Sequence, residues 1–100
     1  MIKNLTPHEI HIGRKIPASG QVARVSVSYE DAGSFDGVPL VVGHYGQATD
    51  LPGVEAGTLL IVSAMVRTAC PGRRDLASPA QMVRDDAGRI IGCGSLEVSA

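Results

Sequence analysis

Pro and Gly break this chain into short apolar stretches, and that punctuation limits its fold more than any other feature. Twelve Gly and six Pro are spread through 100 residues. Residues 1–5 alternate apolar and polar, as a short first strand does. Thr6-Pro7-His8 interrupts them, because Pro7 has no backbone donor and pushes Thr6 toward extended geometry. Glu9 to Ile12 resumes the alternation. Pro17 and Ser19-Gly20 mark residues 13–20 as a loop. Residues 21–29 alternate again, with Ala23, Val25 and Val27 between Arg24, Ser26 and Ser28, although Val22 falls on the polar face. That pattern reads as a half-buried strand.

Residues 30–37 are polar and read as a loop. Val38 to Tyr45 reads as an edge strand weakened by Pro39, and residues 49–57 as another loop. The run Thr58–Val62 is continuously apolar, as in a strand buried on both faces. Ser63 can then cap about two helical turns over Ala64–Cys70, which Pro71-Gly72 end. Residues 81–84 and 89–96 form a hairpin around Asp85-Asp86-Ala87-Gly88, where Gly88 supplies a positive φ. The sum is a mainly β single domain over residues 1–100. Six to seven short strands and one short α-helix favour a small rolled sheet or barrel. Open edge strands can pair between copies, and with a mean hydropathy of +0.14 they predict a homo-oligomer.

Composition excludes several functions. Hydrophobic residues make up 44% and charged residues 19%, so the chain can bury a core. Trp is absent and aromatics are 3%, so Val, Ile, Leu and Ala must fill that core. A ring-stacking surface for single-stranded nucleic acid needs more aromatics. The net charge of −1 gives no field toward nucleic acid polymers or anionic membranes. No apolar run approaches 18 residues, and a cytoplasmic setting is expected. Cys70 and Cys93 lie outside any C-x-x-C, so two reduced, partly buried thiols are expected.

His8, His11 and His44 do not make a metal set, since His8 and His11 point to opposite faces of a strand. No cofactor is implied. There is no G-x-S-x-G, and the carboxylate pairs Glu30-Asp31 and Asp85-Asp86 fall in solvated loops. Seven of the nine basic residues are Arg, whose planar fork suits phosphate. The start of the 64–70 helix frees backbone N–H groups toward an anion, and Ser63 adds a hydroxyl. Arg73 and Arg74 lie about 12–15 Å along at 1.5 Å per residue. They reach such an anion only if the loop folds back or a neighbouring subunit presents them. The plainer reading of the same stretch is a capped helix followed by a solvated basic loop.

Taken together, N-L-T-P-H-E-I at 4–10, I-P-A-S-G-Q-V-A-R-V at 16–25, L-I-V-S-A-M-V at 60–66, R-R-D-L-A-S-P at 73–79 and V-R-D-D-A-G-R-I-I-G at 83–92 resemble a set of small proteins encoded by phages, prophages and actinobacterial genomes. The likeness covers most of the chain, and N-L-T-P-H is its most specific part. By analogy of size, origin and style, it implies an anti-defence sponge that sequesters a nucleotide second messenger without cleaving it. The residues expected to bind such a ligand are Thr6, His8, Arg24, Tyr45, Ser63, Ala64, Arg73 and Arg74. A protein-interaction accessory domain that pairs through an edge strand is the alternative. A nucleotide-cleaving enzyme using His8 or His44 is the third.

Overall fold

The computed structural model describes all 100 residues. Eight strands and one helix follow in the order β1 Ile2–Asn4, β2 Ile10–His11, β3 Lys15–Ile16, β4 Arg24–Phe35, β5 Val38–Thr49, β6 Leu59–Ile61, α1 Ala64–Ala69, β7 Leu76–Arg84 and β8 Ile90–Val98. The protein is therefore mainly β with one short helix, as the patterning predicts. Its main sheet has the order β1-β6-β7-β8 and remains open, with β1 and β8 at its edges. Strands β1, β6 and β7 run parallel, and β8 returns antiparallel to β7.

The apolar run at 58–62 lies at the centre of this sheet. Leu60 and Val62 pack with Leu5, Ala23, Val66 and Leu76 on one face. Ile61, on the opposite face, is fully buried beside Ala77. A strand covered on both sides has no polar face to show, hence the continuous run. Helix α1 lies on the first face through Val66. Burying such a side chain contributes about 1.5–3 kcal/mol. Ser63 caps the helix, its Oγ accepting from the Val66 N–H at 3.2 Å. At the other end Arg67 ties the helix to the β7–β8 hairpin. It donates to Ser78 Oγ at 2.9 Å and to Ser99 Oγ at 3.2 Å, and it pairs with Glu97 at 3.1 Å.

The segment between β1 and β4 joins the first-face cluster at Leu5 and Ala23, and its β2 packs against β8. Its anchor is Asn4, which is buried with every polar atom in use. Its Nδ2 donates to the carbonyls of His8 and Ile16, and its Oδ1 accepts from the Thr6 N–H and hydroxyl. The N-L-T-P-H opening is thus a hydrogen-bonded knot. The expected loop at 13–20 contains β3, which pairs with β2 as a small ribbon.

The largest departure from the expected pattern is at residues 30–37. They do not form a loop; β4 runs to Phe35 and pairs with β5 along a hairpin of two 12-residue strands. Asp36 and Gly37 make its two-residue turn, with φ of 48° and 78°. Both values suit a type I′ turn, whose twist matches that of the flanking strands. Pro39 is tolerated because a two-stranded ribbon has solvent along both outer edges. Only the base of this arm, at Val25 and Ala48, packs on the core. The Cα radius of gyration is 16.0 Å, against about 13 Å for a compact chain of this length.

Candidate functional site

Directly opposed residues of a ribbon share a face. One face of the arm therefore carries Val27 with Tyr45, Tyr29 with Gly43, and Asp31 with Val41. It continues outward the apolar row that Val25 and Ala48 begin in the core. Beyond the core this row is bare: Tyr29 is 67% exposed and Tyr45 60%, and Val41 is exposed as well. Leu40, Val42, and Phe35 and Val38 beside the turn are also exposed. Sequence reasoning missed Tyr29, Phe35, Leu40, Val41 and Val42 as functional candidates. The signal available was Asp36-Gly37 between apolar residues, the strongest short-range mark of a hairpin.

Two concave surfaces adjoin the arm and the body. A cleft of about 530 Å³ lies where Tyr45 faces Ala64, Met65, Thr68 and Ala69 on α1. A groove of about 420 Å³ runs between β2 and the β7–β8 hairpin, with Ile10, Met82, Ile90 and Ile91 among its apolar lining and His8, Glu9 and His11 as its polar one. At the His11 end it meets a second hollow shared with Gly13, Arg14 and Lys15.

The expected ligand-binding residues are only partly gathered. Tyr45 and Ala64 share the α1 cleft, beside Ser63, whose hydroxyl is already committed to the cap. Arg24, Arg73 and Arg74 do not line that cleft. Arg24 begins β4 with its side chain exposed. Arg73 forms a two-pronged pair with Asp75, its Nε and Nη2 at 2.8 Å from the two carboxylate oxygens, and it donates to the Pro52 carbonyl at 2.8 Å. The hydrogen bonds from Arg73 hold the Asp75 carboxyl below its ordinary value despite burial, and they raise Arg73 in turn. A guanidinium used this way has no fork left for phosphate. Arg74 makes no ion pair and lines a separate hollow with Val54 to Thr58. Thr6 belongs to the Asn4 knot, and His8 reaches the groove rim.

His44 lies on the arm with Nε2 3.0 Å from Glu30 Oε2, both side chains exposed. Cys93 is buried and Cys70 half-buried, both as free thiols. No family model matches the chain, and neither a curated protein nor a solved structure matches it.

Proposed function

We propose that this protein is an interaction module that assembles through its β4–β5 arm. The observation that carries this reading is the arm itself: two 12-residue strands that pair only with each other and present Tyr29, Tyr45 and Val41 on one uncovered face. An isolated two-stranded hairpin is marginal in water and gains stability from a third strand or a covering layer. A chain that spends about a quarter of its length on such a ribbon supports contact with another surface. The test replaces Tyr29 with a photo-crosslinking phenylalanine analogue, with the same analogue at exposed Ala56, away from both the arm and the β7–β8 hairpin, as control. Covalent adducts from position 29 and none from position 56 are expected. Equal yields at both positions would overturn the reading.

A second reading, capture of a nucleotide-derived anion in the manner of a phage anti-defence sponge, has one supporting observation. The Tyr45 ring and the start of α1 share a cleft of about 530 Å³, where a base can lie on the ring. Incubation with a panel of cyclic nucleotides tests it, with intact ligand recovered on heating as the expected result. Altered ligand would mean cleavage, and no retained ligand would remove this reading.

A further inference from the structure

The charges of this chain are divided by region. No Lys or Arg occurs between Arg24 and Arg67, and that segment carries five acidic side chains: Glu30, Asp31, Asp36, Asp50 and Glu55. The remaining residues hold all nine basic side chains and five acidic ones. Three of the acids lie on the outer half of the arm: Asp31 on the face of Tyr29 and Val41, Glu30 on the opposite face beside Val42 and 3.0 Å from His44, and Asp36 in the turn. On the body, the apolar groove between β2 and β7–β8 opens at His11 onto Arg14 and Lys15, and neither cation forms an ion pair within the chain. An apolar ribbon bearing carboxylates thus has its complement on the same chain: a groove lined by apolar side chains, whose one carboxylate, Glu9, is held by His11 at 2.9 Å, and which ends in cations.

We propose that the arm of one copy seats in the β2/β7–β8 groove of a second copy, its carboxylates against the second copy's Arg14 and Lys15. This rests on the arm reading above and names its partner. The contact is reciprocal, since each copy carries both an arm and a groove, so a two-fold pair satisfies both at once. Twelve extended residues reach about 40 Å, comparable with the 47 × 39 × 27 Å extents of the whole chain. Opposed charges fix which surface the arm chooses and speed its encounter, while apolar burial holds it.

The test is a charge exchange read by light scattering. One variant carries E30K, D31K and D36K; the other carries R14E and K15E. All five side chains are exposed, and circular dichroism should show both variants folded. Wild type at micromolar concentration is expected to have at least twice the monomer mass, and each variant alone to fall to monomer. An equimolar mixture should regain the wild-type mass, because Lys-bearing arms meet Glu-bearing grooves while native arms meet native grooves. A monomeric wild type, or adducts from position 29 only with a foreign protein, overturns the second-copy proposal and leaves the arm reading standing. Unchanged mass in both variants, combined with dissociation by Tyr29→Ser/Val41→Ser, shows that the arm binds elsewhere and also overturns the proposal.

Discussion

Gly92 of β8 lies so close to His11 of β2 that a Cβ built on it would sit 2.6 Å from the His11 carbonyl oxygen. The obstacle is backbone, which cannot rotate aside. The close approach seats the β2–β3 ribbon on the β7–β8 hairpin and sets the width of the groove between them. Gly92→Ala should therefore push β2 away at a cost of about 1–3 kcal/mol. A lowered midpoint in thermal unfolding, together with weaker self-association, is the expected pair of observations. A variant as stable as wild type would show that the ribbon is not held at that point.

Asn4 offers a second test. Its two donors and its acceptor serve four groups between Thr6 and Ile16. Truncation removes four hydrogen bonds, of which only the one to the Ile16 carbonyl is fully buried, and leaving a buried acceptor unpaired costs about 1–3 kcal/mol. Asn4→Ala should lose at least this much stability in denaturant titration. Asn4→Asp should lose more at neutral pH, because a carboxylate would face the carbonyls of His8 and Ile16 where an amide donates. Equal stability of the two variants at neutral pH would contradict that assignment.

How far the sequence reveals this fold depends on what covers each element. The 58–62 run is plain because both faces of β6 are buried. Helix α1 is plain because Ser63 starts it and Pro71-Gly72 end it. The β7–β8 hairpin is legible from the Asp85–Gly88 turn, where the Asp85 carboxylate accepts from the Ala87 and Arg89 N–H groups at 2.9 Å each. Its first strand begins at Leu76, earlier than expected, because Pro79 hides the start. Val38–Tyr45 still reads as an edge strand, but residues 30–37 are illegible by periodicity for a physical reason: neither face of the arm is buried there, so nothing imposes alternation. The candidate site fares similarly. The cap at Ser63 is local and readable, whereas the capture of Arg73 by Asp75 and the Pro52 carbonyl depends on a loop 21 residues away.

The arginines behind the anion reading now have separate expectations. Arg74 is unpaired, so Arg74→Ala should leave the melting curve nearly unchanged. If a nucleotide anion binds there, that variant should lose about 1.5–3 kcal/mol of affinity in calorimetric titration. Arg73→Ala should instead lower stability, since it strands the Asp75 carboxylate. Ser63→Ala should cost about 0.5–2 kcal/mol through loss of the cap, whether or not a ligand is present. Identical ligand affinity in Arg74→Ala would leave its loop as a solvated basic surface.

Asp75 sets the expected acid response. The Arg73 hydrogen bonds lower its pKa from the ordinary 3.8; burial works against them without cancelling them. A folded-state pKa below the unfolded value means that the group contributes stability above the unfolded pKa. That contribution fades as pH falls from about 3.8 through the lower folded value. Arg73 remains charged throughout, so the titrating partner is the carboxylate alone. The side chains are only 24% and 10% exposed, which limits screening by solvent. Asp75→Asn should therefore cost about 1.5–3 kcal/mol near neutrality, the range for hydrogen bonds to charged groups. Below pH 3.8 its stability should converge on that of wild type, because protonation removes from the native protein what the substitution has already removed. Denaturant titrations of both proteins across neutral and acid pH measure the gap directly. A gap of constant size at every pH would mean that the Asp75 charge contributes nothing and that the amide fails for reasons of shape.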